Sequence, residues 1–593
     1  MTLRTFLKSR HFLVFISIII ICICFYVIGG IYGFSAYPDE FGYWAPAARL
    51  KGYDWSQVAS IGSYYSYGYS IILYVILSIF KDGIIAYRAA IILNFMLQCA
   101  AVWIIYIFIC NIRNIKDEGR LGLSIAILSA IAVLYPAWSL YSQSTMAESL
   151  VCFLFVLVSY LVFRFLRNPG ILNGILLAAC SMYLYLVHMR MIGCVVAIVI
   201  TLLVWALYSG KRSTRIGILG LIAVIAVIFA VSFMIKSGIV SKIYTNASTD
   251  TINWNDYNGQ IPKLAKLFSL KGLLYVFDNI CGKILYISLA TYGIGICGLG
   301  GIIALFVASI KSLRKRGHKP RALFEIYIFL AVFGQIAIAT IYLIDSPSPD
   351  NPRLDLLLHG RYTDMLIPVL MIYGIYSLYS IKHPLIYTTF VSLADILLSI
   401  PIFAVIDSNN TKMSKLQGFT TAGVSYMLFP GDTDARAFLV RAVALGIALS
   451  YVVCLVIIVA KKTNEPVVIA AIFVIQLALT IITCNKYLYS IQPSVYTDIL
   501  VTRQVEKLKE QDLGRQIIHI YEGGVQYIEV MQFNMRDQMV DVINTEYEEC
   551  DVSALPMDAI IVTGAETTYD SELCGMYDTS IEYGHLNVYF NAQ

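Results

Sequence analysis

The sequence predicts an all-α, polytopic membrane protein that ends in a small α/β domain, and three observations predict it. Hydrophobic residues make up 59% of the 593-residue chain and charged residues only 14%, with a mean hydropathy of +0.73. That leaves too little polar surface to enclose an ordinary soluble core. Apolar runs of roughly 20 residues, the length a bilayer crossing needs, recur through residues 1–484. The charge divides where those runs end: residues 485–593 hold 6 Lys/Arg against 18 Asp/Glu, whereas residues 1–484 hold 37 against 20. An acidic tail repels nucleic acid and anionic lipid, and no basic block with interleaved aromatics occurs, so nucleic acid is excluded as a partner.

Residues 1–10 carry Arg4, Lys8 and Arg10, and the run 11–34 lacks a small-residue cleavage site. It reads as a retained first span and not as a signal peptide. Further spans are expected near 84–110, 121–141, 147–166, 171–188, 191–208, 216–235, 284–309, 322–344, 363–380, 385–406, 436–460 and 466–484, about thirteen in all at the length a crossing needs. Tyr67–Phe80 is too short and is bounded by Gly68 and Lys81-Asp82-Gly83, so an interfacial or re-entrant helix is expected there. With the N-terminus cytoplasmic, the short inner loops collect Arg113/Lys116/Arg120, Arg164/Arg167, Lys211/Arg212/Arg215, Lys311/Arg314/Lys315/Arg316/Lys319/Arg321, Lys382 and Lys461/Lys462, as the positive-inside rule requires.

An odd number of spans sends the tail outside, together with loops 35–83, 236–283, 345–362 and 407–435. The chain thus divides into a membrane domain, 1–484, and an acidic extracytoplasmic domain, 485–593. In the latter, β-rich runs at Gln516–Tyr521, Met539–Ile543, Ala559–Val562 and Leu586–Phe590 alternate with helical patterns near 496–512 and 524–535, the signature of an α/β unit. Most of the 13 cysteines lie in apolar runs and no CxxC pair occurs, which gives no support to zinc or thioredoxin chemistry. Cys550 and Cys574 share the outside domain and are candidates for a disulfide. Sequons stand at Asn246 and Asn409.

Ionisable side chains at the edge of a span are costly and default to functional candidates. Here they gather at one end: Asp39, Glu40, Arg88, Glu148, Arg190 and the group His359-Gly360-Arg361-Tyr362 all fall at expected outer ends, with Asp395 at mid-span and Glu325 near an inner end as exceptions. Each has an ordinary structural reading as a helix cap, a snorkelling side chain or an ion pair. Their convergence beneath large loops points instead to a site open to the outer leaflet. Tyrosines 64, 65, 67 and 69 would flank such a site, as interfacial belt residues more often than as sugar-stacking platforms. Asp432-Thr-Asp434 fits a carboxylate clasp for a divalent cation or a solvated turn. No phosphate-binding Gly-rich loop occurs that would suggest a soluble nucleotide donor.

The segment Tyr37-Pro-Asp-Glu-Phe-Gly-Tyr-Trp44, directly after the first span, resembles the acidic first-loop motif of the GT-C glycosyltransferases, a superfamily that includes protein O-mannosyltransferases, the lipid A aminoarabinose transferase and the catalytic subunit of oligosaccharyltransferase. Other features match in the same order: a short Tyr/Gly-rich helix over 64–80, Arg88 opening the next span, Pro136 and Glu148 around the following outer turn, and the late Gly360-Arg361-Tyr362-x5-Pro368 element. Thirteen spans and an outside C-terminal domain look like the aminoarabinose transferase branch. The Lys-Pro-Pro that many relatives carry before the short helix is replaced here by Ser63-Tyr-Tyr-Ser-Tyr67.

The resemblance implies transfer of a monosaccharide from a polyprenyl-phosphate donor to a glycan, lipid or protein outside the cytoplasm, in the cell membrane and in contact with membrane lipid. The residue chemistry suits this. An attacking hydroxyl needs a base, for which Asp39 is the candidate, with Glu40 orienting it or sharing its proton. A departing phosphate needs fixed positive charge, for which Arg361 is the first candidate and Arg190 the second, with His359 as a further donor and Tyr362, Arg88 and Glu148 lining the site. Two other readings share the layout: a polymerase or ligase of lipid-linked polysaccharide, and a flippase or transporter of lipid-linked sugars, which would need polar groups at the midplane.

Overall fold

Hydrocarbon offers the backbone no water to bond, so apolar runs satisfy their own N–H and C=O groups as helices. The computed structural model describes residues 9–592 apart from 36–38, 63, 114–118, 210, 246–251, 253–256, 314–318, 346, 350, 414–415, 430, 432, 512–513 and 548. Tyr37 and Pro38 of the acidic motif, the sequon at Asn246, Asp432, and the basic residues Arg4, Lys8, Lys116, Arg314, Lys315 and Arg316 lie outside the described residues. Among the described residues, 11 helices are long and apolar enough to cross a membrane, and four shorter apolar helices accompany them. The protein is a multi-pass, mainly helical membrane protein.

Each expected span has a helix, with two differences. The run 284–309 is divided into Leu270–Ala290 and Ile294–Leu313 by Tyr292 and Gly293, whose φ angles of 57° and 77° end any right-handed helix. The run 121–141 breaks into Gly119–Val133 and Pro136–Tyr141, because Pro136 cannot donate to a preceding turn and opens a new one. The short helix Gly68–Ile79 has 12 residues, about 18 Å at 1.5 Å per residue, well short of the roughly 30 Å hydrocarbon core.

Glu148–Arg167 is the central helix, buried along most of its length and packed against Gly83–Arg113, Ile171–Val187 and Pro320–Tyr342. By contrast Arg212–Ile243 buries only Ile218, Ile225, Ser232 and Ile243, a narrow line facing its neighbours while the rest is apolar and outward. That distribution suits a peripheral helix solvated by lipid.

The last membrane helix passes through a π-turn at Asn485–Tyr489 into Gln492–Gln511, which leads to a five-stranded sheet. Its strands are β1 (Ile517–Tyr521), β2 (Asp541–Asn544), β3 (Ile560–Gly564), β4 (Thr579–Tyr583) and β5 (Leu586–Phe590), in the order β2-β1-β3-β5-β4. β1 pairs in parallel with β2 and β3, while β5 runs antiparallel to β3 and β4. β1 is buried at every residue: Ile518 and Ile520 face a core with Leu573 and Tyr589, and Ile517 joins the larger core shared with the helices. A strand covered on both faces reads as a continuous apolar run. β4 and the helix Asp570–Met576 are additional to the elements expected in this domain. Cys550 is buried, Cys574 is exposed and no disulfide joins them.

Candidate active site

The helix Val525–Met535 ties the sheet to the membrane helices. Phe533 packs against Phe34, Trp44 and Trp55 at ring-centroid distances of 4.8, 4.9 and 6.2 Å, and the Trp55 indole donates to the Arg536 carbonyl at 2.6 Å. The sheet therefore sits over the helix Asp39–Lys51, whose first turn carries both acidic candidates. Two carboxylates in a first turn complement the partial positive charge of a helix N-terminus.

The two acids have different surroundings. Glu40 is fully buried and saturated: Oε1 accepts from the N–H and hydroxyl of Ser35 at 2.5 and 2.6 Å, and Oε2 accepts from the Tyr87 hydroxyl at 2.8 Å and from the N–H and hydroxyl of Thr145 at 2.6 and 2.7 Å. Nothing in that set leads to Asp39, so the expected pairing of the two acids is replaced by an anchoring role for Glu40. Asp39 accepts from the Tyr65 hydroxyl at 2.5 Å and is ion-paired with Nη1 of Arg361.

Arg361 joins three parts of the chain. Its Nε bonds Oε1 of Glu148 at 2.5 Å, and its N–H donates to the Thr420 carbonyl at 3.2 Å. The guanidinium is buried, its Nη2 has no hydrogen-bond partner, and neither does Oε2 of Glu148. Arg190 completes the cationic side. It lies over the Tyr362 ring at 3.4 Å and bonds the His188 imidazole, and its buried Nη1 is also without a partner. Glu148, His188, Arg190, Arg361, Tyr141 and Asp364 line one recess. Asp364 accepts from Tyr141 and Tyr286, each at 2.8 Å.

His359 sits edge-on to Tyr362 at 4.0 Å, and both of its ring nitrogens are buried without a partner. Burial, with Lys283, Arg190 and Arg361 around it, holds this imidazole well below its usual range, so it is neutral and offers one donor and one acceptor.

The structure thus brings together Asp39, Glu148, Arg190, His359, Arg361 and Tyr362. It does not bring in Arg88, which donates to the carbonyls of Ile31 and Gly29 at 2.8 and 2.9 Å and fastens the end of the first span. Its position at a helix end is explained by those orphan carbonyls. Of the tyrosines assigned to an interfacial belt, Tyr65 holds Asp39 and Tyr69 is fully buried, donating to Asn94 at 3.2 Å. Asp434 accepts from the N–H groups of Arg436 and Ala437 and caps a helix.

Two solved structures are among those similar to this chain. ArnT from Cupriavidus metallidurans in the apo state is 14% identical over 98% of this chain and 99% of that one, with a TM-score of 0.47. ArnT from Cupriavidus metallidurans bound to undecaprenyl phosphate is 12% identical over 96% and 97%, with a TM-score of 0.49. No protein-family profile and no curated protein sequence matches the chain.

Proposed function

We propose that the protein is a glycosyltransferase that moves a monosaccharide from a polyprenyl-phosphate donor to a glycan, lipid or protein acceptor at the outer face of the membrane. One observation carries the reading: Arg361 and Arg190 line a single recess, each keeps one buried guanidinium nitrogen, Nη2 and Nη1, without a partner, and Arg361 is paired to the carboxylate of Asp39. An unpaired buried donor is costly, and an anion such as a phosphate would satisfy both.

In the reaction the acceptor hydroxyl attacks the anomeric carbon while Asp39 takes its proton. The bond from the anomeric carbon to the phosphate oxygen breaks, and the phosphate leaves with the bonding pair, its new charge met by Arg361 and Arg190. Glu148 and Asp39, on two corners of the Arg361 guanidinium, fix the plane in which Nη2 is presented. Neutral His359 bonds a donor oxygen or hydroxyl. The basic residues Arg113, Arg164, Arg167, Lys461 and Lys462 stand in the last turns of their helices, Arg164 and Arg167 at the opposite end of theirs from Glu148, and the positive-inside rule supports an extracytoplasmic site end.

The test is transfer in detergent, with no membrane gradient, from a synthetic polyprenyl-phosphate sugar. Time-dependent release of the lipid phosphate that disappears in Asp39→Asn is the expected result. Stoichiometric binding without release would assign the protein to carriage of lipid-linked sugars instead.

A further inference from the structure

Arg361 is aimed by a segment whose backbone needs outside support. The helix Asp355–Leu358 is a single turn, too short to bond its own last carbonyls. His359, which follows, has a φ of 21°, in the left-handed region that side chains with a Cβ resist. Arg361 comes two residues later.

Three neighbouring positions of the helix Leu270–Ala290 address this segment. A Cβ on Gly282 would lie 2.5 Å from the Leu357 carbonyl oxygen, so the absence of a side chain lets helix and segment touch. Lys283 is fully buried and its ammonium donates to the carbonyls of Leu356 and Leu357 at 2.8 and 2.5 Å. A Cβ on Gly360 would lie 1.9 Å from the Tyr286 ring. The Tyr286 hydroxyl donates to Asp364 at 2.8 Å and accepts from the Gly423 N–H at 3.0 Å. Burying an ammonium among apolar helices is unfavourable, and a methionine would fill the space as well if packing were the only need. What the lysine adds is two hydrogen bonds to the carbonyls that precede the reversal.

We infer that Lys283 is a positioning residue for the phosphate clamp: by bonding Leu356 and Leu357 it holds the turn at His359 in the arrangement that presents Arg361 to the recess. The inference rests on the reading of Arg361 as the phosphate-binding group. The experiment is titration of the full-length protein in detergent with undecaprenyl phosphate and with undecaprenol, because the ratio of the two dissociation constants isolates recognition of the phosphate from recognition of the chain. In Lys283→Met the ratio is expected to fall about tenfold or more, the scale of one charge-assisted hydrogen bond, with undecaprenol bound as by the wild type. A merely structural lysine would weaken both ligands together and leave the ratio within about twofold, which would overturn the inference. Arg361→Ala is measured alongside. A ratio that collapses in Arg361→Ala but not in Lys283→Met removes the positioning role alone, whereas an unchanged ratio in Arg361→Ala removes the clamp reading itself. Lys283→Leu, which likewise removes the donor, is judged by the same limits where the methionine variant does not fold.

Discussion

Glu40 and Thr145 are joined twice, the backbone N–H and the hydroxyl of Thr145 both donating to one carboxylate oxygen at 2.6 and 2.7 Å. This pair of hydrogen bonds links the acidic helix to the turn that precedes Glu148, the residue that holds Arg361. Adjacent acids in the sequence therefore have separate tasks: Glu40 fixes the scaffold and Asp39 pairs with Arg361, which lines the recess.

The two tasks predict different variants. Glu40→Gln turns one oxygen into an N–H that faces existing donors, so stability should fall by about 1–3 kcal/mol with a modest loss of turnover. Asp39→Asn removes the base and the ion pair to Arg361 together, so the transfer rate should fall about 10²–10⁴-fold while donor affinity falls less than in Arg361→Ala. Melting temperature, donor affinity and turnover measured on both proteins check this, and wild-type turnover in Asp39→Asn would remove the base assignment.

Arg361 is expected to discriminate by geometry as well as charge. Lysine in its place keeps one positive charge but cannot reach Asp39, Glu148 and a phosphate in one plane. Donor affinity should drop in Arg361→Lys and further in Arg361→Ala, the latter by roughly 1.5–3 kcal/mol. Calorimetric titration with a polyprenyl-phosphate sugar reads both.

The gathering of charged residues at one end was legible in the sequence because an apolar chain makes each of them conspicuous. The proximity of Asp39, Glu148, Arg190, His359, Arg361 and Tyr362 is legible that way. The same signal drew in Arg88, since a guanidinium at a helix end is equally well explained by the carbonyls of Gly29 and Ile31 that it bonds. Tyr65 flanks the site as its position suggests, but its bond to Asp39 is not legible because a buried tyrosine and an interfacial one look alike in a Tyr-rich stretch. His188 and Lys283 escaped for another reason: their roles depend on Arg190 and on the carbonyls of Leu356 and Leu357, which spacing along the chain does not reveal. β4 is hard to read because it is a largely exposed edge strand, and its alternation of Thr579, Ile581 and Tyr583 with Ser580 and Glu582 is only one five-residue strand long.

Phe533 should couple the sheet domain to the acidic helix. Its ring lies among Phe34, Trp44 and Trp55, and truncating a buried phenylalanine to alanine costs about 3–5 kcal/mol. In Phe533→Ala, hydrogen exchange should rise together in Val525–Met535 and in Asp39–Lys51. A rise confined to the first segment would show that the domain rests on the membrane helices without supporting the site.

The last prediction concerns pH and the sheet. His519 is buried on β1, with Nδ1 at 3.0 Å from the Val562 carbonyl oxygen of β3, and burial pulls its pKa from 6.5 down to about 4. Between those two values the unfolded chain binds a proton that the folded domain refuses. The stability associated with a neutral His519 is therefore complete above pH 6.5, declines as the pH falls, and is lost below about pH 4. Within that window the opening equilibrium of the sheet should rise by about tenfold per pH unit. Exchange of the β1 and β3 amides, corrected for the intrinsic pH dependence of the chemistry, measures it directly. His519→Asn places an amide N–H where Nδ1 stands and has nothing to titrate, so its slope should be flat over the same range. An equal slope in wild type and variant would assign the acid sensitivity to other groups in the domain.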